Sequence, residues 1–409
     1  MLSWEYPPHF VGGLGQHVYE ITRAMARRGV EVHVLTLEAE GARGFQSING
    51  VNVHRVAPYH LSTPDFITWI LQINVSFLEK ALALLPELGK LDLVHGHDWL
   101  VAHASRAIKH SQRLPLIATI HATEYGRNNG LHNDMQRYIS SVEWFLSFEA
   151  WRVIACSLYM RDELQRVFQL PDDKITLIPN GVDVRDFEVV SHYKEELAQF
   201  RSQYAHPDEK IVFYVGRLVH EKGVQLLIEA APKILAGYPQ TKLVIAGRGA
   251  NEGYLHDLAR SRGIENRVYF TGYIDDPTRN RLYQCSDVAV CPSLYEPFGM
   301  VALEAMAAGA PVVVSDTGGI SELVEEGITG LKFNTGSADS LASRVLEIIQ
   351  QPEKARRMRE RAYKKAVALY SWDTIAGNTI ELYEDVMNEY NQSIWLKSSA
   401  RPSLRSYPA

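Results

Sequence analysis

The chain has 409 residues, more than one hydrophobic core ordinarily serves, so two domains are expected. Its composition is 46% hydrophobic and 22% charged, as in ordinary globular proteins, and a net charge of −6 gives no support to a nucleic-acid or polybasic membrane partner. Three scattered cysteines, Cys156, Cys285 and Cys291, exclude a disulfide framework or a cysteine zinc site and fit a reducing cytoplasm.

The N-terminal residues include neither a basic nor a long apolar region, so no signal peptide is expected. Apolar runs at residues 31–37, 51–56, 91–95, 116–120 and 153–156 read as strands, and helical patterns fit between several of them, as at residues 16–28, closed by Gly29. This alternation predicts a doubly wound α/β domain with a mostly parallel sheet, in which ligands sit beyond the carboxyl ends of the strands. Only four residues precede Glu5-Tyr6-Pro7-Pro8, so the strand leading into the first loop is expected to be very short and the sheet edge weakened. Residues 66–86 are apolar but interrupted by Gln72, Asn74, Glu79 and Lys80, which predicts a partly buried helix rather than a membrane span.

Three loops in this half follow strands or open helices. Gly12-Gly13-Leu14-Gly15 allows close backbone approach to a ligand at a helix N-terminus that favours anions, without the spacing of a dinucleotide fingerprint or a P-loop. In His95-Gly96-His97-Asp98-Trp99 the two imidazoles are expected on opposite faces of the strand end, with no carboxylate or cysteine cluster beside them, so no metal site is expected. His121 ends the next strand and enters the polar loop Ala122-Thr123-Glu124-Tyr125-Gly126-Arg127, which makes it a candidate for active-site contact. A histidine satisfied by loop backbone is the competing reading.

Residues 174–183 close the first domain, and the charged stretch 184–210 reads as the connection. The run 211–215 begins a second α/β alternation that continues at 242–246, 268–273, 287–291 and 311–316. Arg217 stands just past the first of these strands, and Lys222 stands at the start of a helix expected over 224–235, where a cation is unfavourable unless an anion is near. Together with the helix terminus they would hold a pyrophosphate, with surface solvation of Lys222 as the alternative. Asp275-Asp276 before Pro277 reads as a solvated turn, and Thr317-Gly318-Gly319 as a loop able to approach a ligand.

The stretch from Ser293 to Gly309 carries the strongest pattern. After the strand, Pro297 suits the first helical position and Gly309 the C-terminal cap. Glu296 lies at the turn, Glu304 about two helical turns further, and the amides of Gly299, Met300 and Val301 lack intrahelical partners. Two acceptors beside a nest of donors suit a sugar nucleotide; the alternative is that Glu296 caps the helix and Glu304 pairs with an arginine. Residues 372–390 resume a helical pattern, and residues 393–409 are expected to be disordered.

Taken in order, Gly12-Gly13-Leu14, His95-x-His97-Asp98-Trp99, Thr119-x-His121-Ala122-Thr123, Pro179-Asn180-Gly181-Val182-Asp183, Gly216-Arg217-Leu218, Glu221-Lys222-Gly223 and the Glu296/Glu304 pair resemble the retaining GT-B glycosyltransferases of family GT4, and within it glycogen and starch synthases. The resemblance covers roughly residues 3 to 390. It implies two Rossmann-like domains facing a cleft: an N-terminal, acceptor-side domain over 1–187 and a nucleotide-sugar domain over 188–371. A helix over 372–391 crosses back to the first, and 392–409 form a disordered tail. By position, Arg217 and Lys222 would bind the pyrophosphate, Glu304 the ribose, and Glu296 with the amides of Gly299 and Met300 the transferred sugar, with Val301 also on the donor side. His121 would contact the sugar near the reacting carbon, giving His121, Arg217, Lys222 and Glu296 as catalytic candidates. Gly12 and Gly13 would close over the phosphates or the acceptor, and His97, Asp98, Trp99 and Tyr125 are acceptor-side candidates. The implied reaction is glucosyl transfer from UDP-glucose or ADP-glucose to an α-1,4-glucan in the cytoplasm, without metal, nucleic acid or membrane. The alternatives are a phosphosugar acceptor, as in maltose-1-phosphate or sucrose-phosphate synthases, and a non-catalytic glucan- or nucleotide-sugar-binding protein. Phe10 stands where ADP-glucose-using bacterial synthases typically carry lysine, which leaves UDP-glucose open.

Overall fold

Parallel strands need a crossover between them, and most of the short apolar runs here are followed by a helix that supplies one. The structure is a computed structural model that describes residues 1–9, 12–187 and 193–397, so the reading of Phe10 lies outside the described residues. Its contacts divide the chain into two units. One comprises Met1–Ala155, Arg161–Ile178 and the chain from Ile375 onward; the other comprises Cys156–Met160 and Pro179–Thr374. The principal division therefore falls after Ile178, within the stretch 174–183 that the sequence pattern gave as the close of the first domain, and ahead of the 187/188 boundary that the resemblance implied.

The first unit contains strands β1 (His33–Leu37), β2 (Phe45–Ile48), β3 (Val51–Val56), β4 (Val94–His97), β5 (Leu116–Ile120), β6 (Arg152–Ala155) and β7 (Ile175–Leu177). They are ordered β1-β3-β2 and β4-β5-β6-β7, parallel except for β2, which pairs antiparallel with β3. The β2–β3 hairpin escaped the strand pattern because β2 alternates exposed and half-buried residues. Its signal was the two-residue turn Asn49-Gly50, with both residues at positive φ. The short N-terminal segment is not a weak edge. Leu2 bridges both Leu35 of β1 and Gly96 of β4, donating to His95 O at 2.8 Å and accepting from His97 N–H at 3.1 Å. One residue thus joins the two sets of strands, and chain order reverses direction across it. Such a switch point opens a crevice at the strands' carboxyl ends.

The second unit holds one parallel six-stranded sheet: β8 (Lys210–Val215), β9 (Thr241–Ala246), β10 (Val268–Gly272), β11 (Val288–Cys291), β12 (Val312–Ser315) and β13 (Leu331–Phe333), in the order β10-β9-β8-β11-β12-β13. Its strands are apolar on both faces because helices cover both, and Val212, Leu227, Ile245, Val313, Phe333 and Leu341 lie in one buried core. The switch point here lies between β8 and β11, whose following loops carry Lys222 and Glu296.

Helix Phe66–Leu88 forms as expected, capped by Asp65, whose side chain accepts from Thr68 N–H at 2.7 Å. It is long and apolar enough to span a membrane by length and composition, yet Ile70, Ile73 and Phe77 are buried inside the unit. Asp275 is a helix cap rather than part of a solvated turn: it accepts from Thr278 N–H at the start of helix Asp276–Cys285. Helix Trp372–Gln392 is followed by helix Ile394–Lys397, so the start of the expected disordered tail is helical; residues 398–409 lie outside the described residues.

Tyr383 of helix Trp372–Gln392 points its hydroxyl at His95 Nδ1, 2.6 Å away, and His95 Nε2 meets Thr119 Oγ1 at 2.8 Å, all three residues being buried. Tyr383→Phe leaves a buried ring nitrogen without a partner. The expected loss is about 1–3 kcal/mol of unfolding free energy, read from urea denaturation; an unchanged midpoint would show that this bond contributes nothing.

Candidate functional site

In the second unit, β8 ends in Gly216 and an exposed Arg217, whose guanidinium reaches Glu221 Oε1 at 3.3 Å. The turn His220–Lys222 follows, and Gly223 then enters helix Val224–Gly237 at φ 68. A Cβ on Gly223 would lie 1.8 Å from the Pro292 carbonyl oxygen, so only glycine lets this turn rest on the loop after β11. The result is an ion pair: Lys222 Nζ lies 2.7 Å from Glu296 Oε2, which also accepts from Ser293 Oγ at 3.3 Å. Lys222 is therefore not a solvated surface residue, and the anion that its place at a helix start called for is Glu296 itself.

Two expectations about the Glu296 loop are corrected. The helix runs Met300–Ala307 with Gly299 as its N-cap at φ 104, so Pro297 lies outside it, and its C-cap is Ala308, with Gly309 just beyond. Pro297 is held in the loop by its carbonyl, which accepts from Ser157 Oγ at 2.6 Å. Gly318 and Gly319 pack against this same loop rather than facing a ligand. Gly319 N–H donates to Glu296 O at 2.9 Å, and a Cβ on Gly318 would stand 2.2 Å from that oxygen. Glu296 does not cap the helix either. The amides of Gly299, Met300 and Val301 have no hydrogen-bond partner among the described residues, and they follow directly on a buried carboxylate and its lysine.

Glu304 is engaged by its own unit. Arg279 Nε lies 3.6 Å from Glu304 Oε2 and the Tyr283 hydroxyl lies 3.3 Å from it, so the arginine-pair alternative describes this carboxylate. Burial raises the pKa of the Glu304 carboxyl, and the Arg279 charge opposes that rise. A ribose at Glu304 would have to share the carboxylate with these partners.

In the first unit the glycine turn is already tied to a carboxylate that the sequence pattern did not single out: Gly12 N–H donates to Glu5 Oε2 at 3.1 Å. Gly13 begins helix Gly13–Arg27, and His17, one turn in, is buried. The His95 and His97 rings stack at 4.2 Å, so the expectation of opposite faces is wrong; residues two apart on a strand share a face. His97 Nδ1 lies 3.2 Å from His121 Nε2, and the His17 ring meets the His121 ring edge-on at 4.8 Å. Burial pulls the His97 ring well below the ordinary imidazole range and, with the Arg127 charge, pulls His121 down to about 3, so both are neutral at pH 7. His121 is positioned through its backbone: its N–H donates to Asp98 Oδ1 at 2.7 Å, with Asp98 at φ 58. Burial pushes the Asp98 carboxyl up to about 6, although the His121 amide pulls it down.

Of the acceptor-side candidates, His97, Asp98 and Trp99 are buried, with Trp99 meeting the Phe66 ring edge-on at 6.1 Å. Tyr125, on helix Glu124–Asn128, is half-buried beneath the Arg166 guanidinium at 5.8 Å. Sequence reasoning missed Glu5, His17 and Glu143, whose carboxylate accepts Glu124 N–H at 2.9 Å. For His17 a signal existed, namely a histidine one turn into the helix opened by the glycine turn. A cavity of about 600 Å³ in this unit, lined by Met1, Leu85, Leu93 and Met387 among others, includes residues at the start of β1 and β4, the ends opposite these loops, and is no part of the site.

Residues 11–186 match the family model described as Glycosyltransferase Family 4, and residues 197–365 match Glycosyl transferases group 1. The chain is 38% identical to an uncharacterized glycosyltransferase of Methanocaldococcus jannaschii, over 95% of this chain and 98% of that one. It is 35% identical to a glycogen synthase of Mycobacterium tuberculosis, over 94% of this chain and 93% of that one. Among solved structures it resembles a sucrose-phosphate synthase of Thermosynechococcus elongatus, with TM-score 0.81 and 26% identity, over 92% of this chain and 94% of that one. The fold class is accordingly α/β, with two Rossmann-like domains as in the GT-B glycosyltransferases.

Gly318→Ala places a methyl group against the Glu296 carbonyl at a residue with φ 55. A destabilisation of about 1–3 kcal/mol, the ordinary cost of such strain, is expected together with weaker nucleotide-sugar binding. Calorimetric unfolding and a donor titration check both, and an unaltered donor affinity would separate this loop from the donor. Asp98 yields a pH test. With its folded value at about 6, above the ~3.9 of an unfolded aspartate, the unfolded chain ionises first as pH rises, and Asp98 lowers stability progressively between those values. Asp98→Asn keeps an acceptor for His121 N–H but cannot ionise. Relative to wild type it should gain roughly 2–3 kcal/mol between about pH 4 and pH 6 and change no further above that, in urea unfolding at stepped pH. A pH-independent difference would mean that Asp98 titrates as in the unfolded chain.

Proposed function

We infer the function of this chain from its membership of glycosyltransferase family 4, to which it belongs by the full-length likenesses just described. Within that hexosyltransferase family it transfers glucose from a nucleoside-diphosphate glucose to the non-reducing end of an α-1,4-glucan, with retention of the anomeric configuration. The observation that carries the donor half is the Lys222–Glu296 pair, 2.7 Å apart, directly before three unpartnered amides at a helix start. Lys222 has three N–H donors, and its pairing with Glu296 leaves others for a diphosphate. Amide groups that already point outward cost no reorganisation as charge builds on the leaving group.

In the reaction the bond from the anomeric carbon to the β-phosphate oxygen breaks and a bond to the acceptor hydroxyl oxygen forms on the same face. The acceptor proton passes to a phosphate oxygen. Lys222, Arg217 and the amides of Gly299, Met300 and Val301 offset the diphosphate charge; Glu296 holds sugar hydroxyls, Glu304 the ribose, and His121 contacts the sugar near the reacting carbon. Cationic side chains do the work that a metal does elsewhere, so the reaction needs no metal, and it takes place in the cytoplasm without a membrane or nucleic-acid partner. The glucan acceptor is supported by the full-length likeness to a glycogen synthase. A second reading, a small phosphosugar acceptor, is supported by the likeness to a sucrose-phosphate synthase.

Nucleoside diphosphate release should appear with UDP-glucose or ADP-glucose only when glycogen or a maltooligosaccharide is present. Lys222→Ala should lower kcat by roughly 10²–10³, the loss usual for one donor to a developing oxyanion. Turnover on glucose 1-phosphate or fructose 6-phosphate alone would establish the second reading, and donor binding without turnover on any acceptor would make the protein a binder.

A further inference from the structure

Three imidazoles converge in the first unit from three separate elements: His17 from the helix after the glycine turn, His97 from the end of β4 and His121 from the loop after β5. One ligand nitrogen from each lies within 4.8 Å of the others. His97 Nδ1 and His121 Nε2 are 3.2 Å apart. Two nitrogens bound to one tetrahedral Zn²⁺ at ~2.0–2.1 Å stand about 3.3–3.4 Å apart, so this pair is already spaced as metal ligands are. Drawing in a third nitrogen from at most 4.8 Å takes a movement of roughly 1.4 Å.

Hydrogen bonding accounts for both nitrogens of the neighbouring His95 but not for both of His97. Both nitrogens of His95 are hydrogen-bonded, to Tyr383 and Thr119. His97 is equally buried, yet its Nε2 has no partner. Buried polar atoms are ordinarily satisfied, so this ring, whose Nδ1 faces His121, is incompletely partnered at its other nitrogen. His121 remains partly accessible, which gives an ion a way in. The donor set is imidazole only, which selects Zn²⁺, Co²⁺, Ni²⁺ or Cu²⁺ over Mg²⁺ and Ca²⁺. Three protein nitrogens leave the fourth tetrahedral position to water. Asp98 accepts the His121 backbone N–H at 2.7 Å and so holds the loop that carries this ligand.

We propose that His17, His97 and His121 form a binding site for a Zn²⁺-class transition-metal ion, and that the bound ion immobilises His121 and so inhibits sugar transfer. The second half rests on the functional reading above; the first stands on the geometry of this unit alone. On that reading the reaction uses no metal, and the ion acts as an inhibitor.

The test uses the whole chain, stripped with a chelator and titrated with Co²⁺ in the absence of donor and acceptor. The expected result is one equivalent bound, with the intense visible absorption of a tetrahedral site, bleached by Zn²⁺ and absent with Mg²⁺. His17→Gln should weaken Co²⁺ binding by more than ~100-fold, beyond the loss typical of an outer-sphere partner. Nitrogen NMR of the wild type, with histidine ¹⁵N-labelled, gives a readout independent of whether that variant folds: Zn²⁺ should shift three imidazoles. A featureless cobalt titration, fewer than three shifted rings, or binding unchanged in folded His17→Gln would overturn the site. Zn²⁺ at saturation should lower wild-type transfer at least about fivefold, the low end of ordinary coupling between two ligands, and His17→Gln should relieve it. Stoichiometric binding with full activity would overturn the inhibitory half and leave the metal site standing.

Discussion

Backbone touching backbone is the constraint on which the donor side depends. Gly223 lets the Lys222 turn lie on Pro292, and Gly318 and Gly319 let the next loop lie on Glu296 and Pro297. A side chain at any of the three would stand inside the van der Waals radius of a carbonyl oxygen, so the three loops would separate. Held together, they put an ammonium 2.7 Å from a buried carboxylate at the opening of a helix whose first amides are unpartnered. The pair also resolves an electrostatic conflict: a lysine at a helix start is unfavourable by the macrodipole, and the Glu296 carboxylate offsets it until a diphosphate arrives.

In the first unit the corresponding constraint is the single bridging residue Leu2. Because it pairs with β1 on one side and β4 on the other, the loop after it and the loop after β4 leave the sheet side by side. The glycine turn, His17, His97 and His121 are neighbours for that reason. Burial then decides their chemistry. Imidazoles taken out of water lose their affinity for a proton, so His97 and His121 are hydrogen-bonding or metal-binding groups at neutral pH rather than cations.

Much of the donor side was legible in the residues. Lys222, Glu296 and the amides after it follow strands at spacings that chemistry can read, and the structure brings them together. Which arginine pairs with Glu304 was not legible, because Arg279 and Tyr283 lie some twenty residues earlier in sequence and reach it only through packing. The burial of Trp99 and His97, acceptor-side candidates by resemblance, was not legible either: Trp99 meets Phe66, 33 residues earlier, edge-on. Pro297 shows the same limit locally. Its place outside the helix is set by a bond from Ser157, 140 residues away.

The sequence by itself determined the α/β alternation, the strand-end loops and the family to which their motifs belong, because hydrophobic period, glycine placement and motif order are local properties of a chain. Only the tertiary structure decided which of those polar groups already have partners. It tied Glu296 to Lys222, Glu304 to Arg279 and Gly12 to Glu5, and it gathered three histidines spaced 80 and 24 residues apart while leaving one of their nitrogens unmet. Partnership depends on distance in space, and distance in space between such residues is fixed by sheet order and burial rather than by any pattern along the chain.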